Sequence, residues 1–212
     1  MSLLWYRFAR SLVVGFCKLF WRVSVTGTEH VPATGPFILA PVHRSNVDFA
    51  IVAAVTKRRM RYLAKDSIWK LGLGRLWESL GAIPVARGTA DREAMRQLEA
   101  TLAAGDPVVM FPEGTRQTGP IVQPLFDGPA YVAARAGVPI VPVGIGGSEK
   151  AMPKGSKILR PVKITIVIGP ALLPESRAEG ARVPRRAVAE LTAVLKDEVQ
   201  RLFDEAQAKV AA

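Results

Sequence analysis

Residues 37–49 read FILAPVHRSNVDF. The first six, FILAPV, suit a short buried β-strand, and they run straight into His43, one of only two histidines in the chain. Asp48 follows five residues later, where a helix is expected to start. A strand ending on a histidine and a helix opening on an acid fit an α/β sheet, where chemistry sits at the junction of strand and loop. In that geometry Asp48 would hydrogen-bond one imidazole nitrogen and leave the other facing a cleft as an acceptor. That is a general base with its orienting partner. The plainer alternative is a histidine satisfied within the structure, and one pair of residues at this spacing fits both.

Working outward, strand-like and helix-like segments alternate. The apolar runs predict strands at 22–26, 37–42, 60–65, 82–86, 108–111, 140–144 and 162–168. Helices are expected at 48–56, near 67–69, near 74–80, and at 92–104, 129–136 and 184–210. Asp91 is placed to cap the fourth of these, Pro129 suits a first helical turn and Gly137 a helix stop. In the last helix Val188, Leu191, Leu195, Val199 and Leu202 recur at three- and four-residue steps, so one face should lie on the core. The pattern predicts an α/β fold, a central, mostly parallel sheet flanked by helices. With 212 residues, 49% of them hydrophobic, the chain is long enough for one well-buried domain. The expected division is an anchor segment, 1–22, and a catalytic domain, 23–212.

Residues 1–22, MSLLWYRFARSLVVGFCKLFWR, are apolar and basic together. Lys18 interrupts the apolar run and no small-residue cleavage site follows, so the segment does not read as a signal peptide. A spanning helix needs about 20 apolar residues, more than the charge-free stretch 11–17 provides. Projected as a helix, Arg7, Arg10, Ser11, Lys18 and Arg22 fall on one side. Trp5, Phe8, Leu12, Val13, Phe16, Leu19 and Phe20 fall on the other. That describes either an interfacial helix, with aromatics in the acyl boundary and cations toward lipid phosphates, or a helix packed on the domain's own core. The one-signed polar face favours the membrane. The whole chain carries 29 basic against 18 acidic side chains, a net +11, which implies an anionic partner: nucleic acid, an anionic membrane or a phosphorylated small molecule. Nucleic acid fits poorly, because no known binding motif occurs and the aromatics gather at the N-terminus instead of interleaving a basic patch. The single cysteine, Cys17, excludes an internal disulfide and suits a reducing compartment.

Three further stretches end apolar runs on polar groups. FPEGTR, residues 111–116, brings Glu113, Gly114, Thr115 and Arg116 after the strand PVVMF. Gly114 permits close approach of backbone to a ligand, and Arg116 carries a donor fork suited to phosphate. Glu113 would support that arginine or accept from a hydroxyl. The plainer alternative is a turn with a surface ion pair. IPVARG, residues 83–88, ends on Arg87, and RYLAK ends on Lys65. Three cations in one topological position would collect positive charge along one sheet edge, for which a phosphate site is the simplest use.

Taken together, HRSNVD, FPEGTR, IPVARG and VPIVPV (residues 138–143) resemble, in order and separation, the four motifs of the glycerolipid acyltransferases. The resemblance covers roughly residues 23–169 and is greatest to the 1-acylglycerol-3-phosphate acyltransferase branch. It implies that His43 deprotonates an acceptor hydroxyl while Asp48 holds its tautomer. It also implies that Arg87 grips the acceptor phosphate with Arg116 and Lys65 assisting, and that Glu113, Gly114 and Thr115 shape the acceptor site. The implied partners are lysophosphatidic acid, acyl-CoA or acyl carrier protein as donor, and membrane phospholipids, with no metal and no cofactor. The implied location is the cytoplasmic membrane face, held peripherally. Backbone N–H groups near the His43–Asp48 turn would stabilise the oxyanion. After EGTR many members carry a serine and later a Lys-Gly step, whereas this chain reads QTGPIVQPLFDGPA with Asp127 before Gly128, a departure bearing on donor contact and acceptor choice. Neighbouring readings are transfer to glycerol 3-phosphate or another lysolipid, hydrolysis of a lipid, and a non-catalytic protein that binds anionic membranes. Neither Cys17 nor Ser45 reads as a nucleophile: one lacks a base, the other a Gly-x-Ser-x-Gly elbow.

Overall fold

A computed structural model of the chain describes residues 3–65, 78–85, 92–156, 158–175 and 182–212. Seven strands form one sheet: β1 (Ser24–Thr26), β2 (Ile38–Pro41), β3 (Arg61–Lys65), β4 (Ala82–Val85), β5 (Val108–Val109), β6 (Ile140–Gly146) and β7 (Thr165–Ile168). Their order is β1-β7-β6-β2-β5-β3-β4. β2 to β6 all run parallel, β7 runs antiparallel to β6, and β1 pairs parallel with β7. The helices are α1 (Leu3–Phe20), α2 (Asp48–Ile51), α3 (Arg92–Ala103), α4 (Gly128–Ala136), α5 (Ser148–Ala151) and α6 (Arg185–Ala211), with 3₁₀ turns at Thr28–His30 and Val52–Ala54. Every residue of β2, β6 and β7 is buried, whichever way its side chain points, so both faces of the sheet are covered there.

Each expected strand is present, several of them shorter than the apolar run that announces it. β5 keeps only two paired residues, because the chain leaves the ladder before Pro112. The helix expected over 48–56 is one α-turn followed by a 3₁₀ turn. Pro129 lies in the first turn of α4, and Gly137 ends that helix in the left-handed conformation that glycine adopts without cost. The helix expected near 67–69, the start of that near 74–80, and the Asp91 cap lie outside the described residues. α5, four residues long and unpredicted, has too little apolar periodicity to be read from sequence.

Two features of the packing position the site. β5 lies between β2 and β3, whereas β6 lies on the far side of β2, so the chain order reverses around β2. Clefts in parallel sheets open at such reversals, outside the carboxyl ends of the strands. On the other flank α6 rests directly on β6. A Cβ at Gly144 would come within 2.2 Å of the Leu202 backbone, and one at Gly146 within 2.4 Å of Ala206, so only glycine admits the helix this close. α6 buries Val188, Leu195, Val199, Leu202, Phe203 and Ala206, and Leu191 packs at the edge of the same core.

α1 docks on the body by a stripe between its two expected faces. Tyr6 and Cys17 are buried, as is Trp21 just beyond the helix, while Val13 and Phe20 pack against the core. The Tyr6 hydroxyl donates to the Arg58 carbonyl (3.3 Å) and Arg10 Nε to the Thr56 carbonyl (2.8 Å). Arg10, Val13 and Phe20 therefore face the protein. Leu4, Phe8, Leu12, Phe16 and Leu19 remain exposed as a continuous apolar row, with Arg7, Lys18 and Arg22 exposed beside it. Among the described residues no helix is long and apolar enough to cross a membrane.

Candidate active site

The carboxyl ends of β2 and β5 bring two acid–base pairs side by side. His43 follows β2, and its Nδ1 lies 2.9 Å from Asp48 Oδ2 at the first residue of α2. The same oxygen accepts the backbone N–H groups of Arg44 (2.8 Å) and Ser45 (2.7 Å). Three donors converging on one fully buried carboxylate oxygen put the imidazole proton on Nδ1. Nε2 is then left with its lone pair and has no hydrogen-bond partner among the described residues. Asp48 Oδ1 is buried without a partner among them, so hydrogen bonding concentrates on the oxygen that faces the ring. Phe111 lies 4.1 Å from the imidazole centroid at a shallow tilt, and Phe49 meets it edge-on at 5.4 Å. The ring plane is thus held from two sides by aromatic groups. His43 is 7% exposed, so its free nitrogen is largely shielded from solvent.

The second pair is Arg44 and Glu113. Arg44 is the largest fully buried side chain among the described residues, and its Nη1 donates to both Glu113 oxygens (2.9 and 2.7 Å). Glu113 also accepts the backbone N–H groups of His43 (3.0 Å) and Gln123 (3.2 Å). Four hydrogen bonds from three donor groups fill the acceptor capacity of one carboxylate. The rest of the arginine fork donates to the carbonyls of Gly119 and Ile121, and its plane lies over Phe203 of α6. Gln117 N–H closes the junction by donating to the His43 carbonyl (2.9 Å). The partner of Glu113 is therefore Arg44, not Arg116, and its work is to fasten the loop after β5 to the histidine. Sequence reasoning misses Arg44 as the residue that fastens this junction. The available signal was an arginine inside an otherwise apolar strand-end, with an unassigned acid at the equivalent end of another strand.

The remaining expected residues divide. Gly114 turns with φ 66° under the exposed Phe126 ring, where a Cβ would come within 2.6 Å of the ring edge. Thr115 is exposed and accepts from the Gln117 side chain. The Arg116 guanidinium makes no hydrogen bond or ion pair among the described residues, so it is a cation at the sheet edge with its donors available. Lys65 ends β3 at that same edge, paired in register with Val85, though its side chain is outside the described part of the chain. Arg87 lies outside the described residues. Of the backbone N–H groups near the His43–Asp48 turn, expected to include oxyanion donors, those of His43, Arg44 and Ser45 are committed to Glu113 and Asp48. Ser45 is buried and its hydroxyl donates to the Met152 carbonyl (2.8 Å), which removes it as a nucleophile. Burial pushes the Cys17 thiol up to about 11, which keeps it protonated and inert. The other histidine, His30, hydrogen-bonds the Ile168 carbonyl (2.9 Å) and is structural. Asp127 accepts from Thr192 of α6 and so ties α4 to α6. Among the described residues no cluster of three or more His, Cys, Asp or Glu side chains could hold a metal ion.

A buried carboxylate–imidazole pair with a free Nε2 thus stands at the reversal point of a parallel sheet, and Arg116, unpaired among the described residues, lies on the loop whose Gln117 N–H bonds the His43 carbonyl. The acyltransferase family model matches residues 22–146, and the chain belongs to that family. It is 31% identical over 166 residues to a 1-acyl-sn-glycerol-3-phosphate acyltransferase of Chlamydomonas reinhardtii, a match that covers 76% of this chain and 49% of that protein. With the Bacillus subtilis 1-acyl-sn-glycerol-3-phosphate acyltransferase it shares 24% identity over 93% of this chain and 96% of that one. The chain thus spans about half the length of the Chlamydomonas relative and nearly all of the bacterial one. The crystal structure of the 1-acyl-sn-glycerophosphate (LPA) acyltransferase PlsC from Thermotoga maritima superposes with a TM-score of 0.69 and 25% identity, covering 94% of this chain and 86% of that one.

Proposed function

We propose that the protein transfers a fatty acyl group from acyl-CoA, or from acyl carrier protein, to the sn-2 hydroxyl of 1-acyl-sn-glycerol 3-phosphate, giving phosphatidic acid. The observation that carries this reading is the His43 Nδ1–Asp48 contact with Nε2 left free. Nε2 takes the hydroxyl proton as the oxygen attacks the thioester carbonyl, and the negative charge of Asp48 stabilises the imidazolium that forms. The tetrahedral oxyanion collapses, the C–S bond breaks, and the departing thiolate takes the proton back from Nε2. No protein nucleophile, metal or cofactor enters this sequence. Arg116, with Arg87 and Lys65, holds the acceptor phosphate, and Arg116 is favoured because its guanidinium has no other partner among the described residues. Glu113, Gly114 and Thr115 shape the acceptor site through the loop that carries Arg116.

The acceptor and product both partition into bilayers, so the site must meet the lipid surface. The exposed row Leu4, Phe8, Leu12, Phe16 and Leu19 on α1, with Arg7, Lys18 and Arg22 beside it, supports residues 1–22 as an interfacial anchor. The protein would then lie peripherally on the cytoplasmic face. Incubating the purified protein with labelled acyl-CoA and a panel of acceptors tests the reading. Labelled phosphatidic acid from lysophosphatidic acid supports it. Product from glycerol 3-phosphate or another lysolipid alone moves the acceptor, free fatty acid makes the protein a hydrolase, and no turnover leaves a membrane-binding protein.

A further inference from the structure

Residues 151–156 and 158–160 belong to one surface loop whose ends are joined by the Arg160 N–H donating to the Ala151 carbonyl (2.9 Å). One side of this loop belongs to the active site. The Met152 carbonyl accepts the Ser45 hydroxyl (2.8 Å), and Lys154 Nζ donates to the Arg116 carbonyl (3.3 Å). The other side belongs to the end of α1. Trp21 Nε1 donates to the Arg160 carbonyl (3.0 Å), and Ile164 N–H donates to the Trp21 carbonyl (3.0 Å). Trp21 in turn packs edge-on against Phe16 and Phe20, so it ties the loop to the end of the helix that carries the exposed apolar row.

Between these two attachments the loop presents Ile158, 70% exposed, and Leu159, 41% exposed. The sequence from 150 to 163 holds five lysines and arginines and no acid. Lys150, Lys154 and Arg160 are exposed, and none of them forms an ion pair among the described residues. A pair of exposed aliphatic residues amid cations without ion pairs, joined through Trp21 to a second exposed apolar row, matches an anionic bilayer and not an acidic protein surface, which would leave the aliphatics unpartnered.

We infer that this loop is a second bilayer contact, in which Ile158 and Leu159 enter the acyl boundary while the flanking cations engage lipid phosphates. It rests on the anchor reading of α1 and adds orientation to it. A helix lying on a surface is free to roll about its axis. A second contact joined through Trp21 stops the roll, and because the same loop holds Ser45 and Arg116 it turns the mouth of the site toward the lipid.

The test uses the full-length protein with Phe8→Cys, Ile158→Cys or Val194→Cys, each labelled with an environment-sensitive fluorophore. The native Cys17 is buried and stays unlabelled. Phosphatidylcholine vesicles containing phosphatidylglycerol carry a nitroxide-labelled lipid as quencher. Quenching at positions 8 and 158 but not at 194 is the expected result. Quenching at 8 alone overturns the second contact and leaves the anchor standing. Quenching at 158 alone keeps the loop contact and overturns the anchor, and quenching at neither overturns both. The double variant Ile158→Glu, Leu159→Glu should lower acyl transfer to vesicle-embedded acceptor by about tenfold or more. Transfer to a short-chain soluble acceptor should not change. Equal loss on both acceptors would assign the effect to the Met152–Ser45 contact and overturn the docking role.

Discussion

His43–Asp48 and Arg44–Glu113 are neighbouring pairs from interleaved residues, and each joins a base to a carboxylate at the end of β2. In the first pair the carboxylate takes three donors on one oxygen and leaves the imidazole's far nitrogen unoccupied. In the second every acceptor position of Glu113 is filled, and the guanidinium is spread over two further carbonyls. One pair keeps a reactive lone pair available, and the other has nothing left to offer a substrate. The lesson is that burial and charge do not single out a candidate base. The unspent hydrogen-bonding capacity does.

Breaking the saturated pair should cost the most stability. Glu113→Ala leaves a buried guanidinium uncompensated and should lower stability by about 3–5 kcal/mol. A thermal melt or urea titration reads this, and the double change Arg44→Met, Glu113→Leu should recover much of the loss. Asp48→Asn separates the two pairs more finely. The amide oxygen still accepts hydrogen bonds, but the charge that stabilises an imidazolium is gone. Acyl transfer should fall on the order of 10²-fold while the melt stays close to that of the unaltered protein. Arg116→Ala should raise the acceptor's KM about tenfold and leave the donor's unchanged, with lysine restoring charge but not the fork. Arg87→Ala should behave likewise in the same steady-state assay. Gly114→Ala should cost about 1–2 kcal/mol for the left-handed backbone, since the exposed Phe126 ring is free to swing aside. The smallest effect is at Cys17. Burial disfavours the thiolate and pushes the thiol pKa up from its ordinary value to about 11. The stability this gives is complete below pH 9 and declines as pH rises through 9 to 11. Melts across that range for the unaltered protein and Cys17→Ala should converge only at the alkaline end.

All seven strands were legible because a parallel sheet covered on both faces demands unbroken apolar runs, such as FILAPV and PVVMF. Their pairing order was not, since nothing in an apolar run names its neighbour. His43 and Asp48 were legible from spacing at a strand end. The engagement of Arg44 by Glu113 was not, because the two lie 69 residues apart and each had a nearer candidate partner. α1 and α6 show the same limit on helices. Both are amphipathic, yet α6 hides its apolar face on the glycines of β6, while α1 docks by a middle stripe and leaves its apolar row outside. Periodicity gives the faces of a helix, and only its neighbours decide which of them is buried.

The most direct measurement is the initial rate of phosphatidic acid formation by His43→Ala, taken on protein whose melting temperature and circular dichroism match those of the unaltered chain. Removing a group that hydrogen-bonds only Asp48 through its side chain should leave the Arg44–Glu113 fastening intact. The rate should fall by about 10²–10⁴-fold. Turnover at the unaltered rate with a native fold would contradict the assignment of His43 as the base.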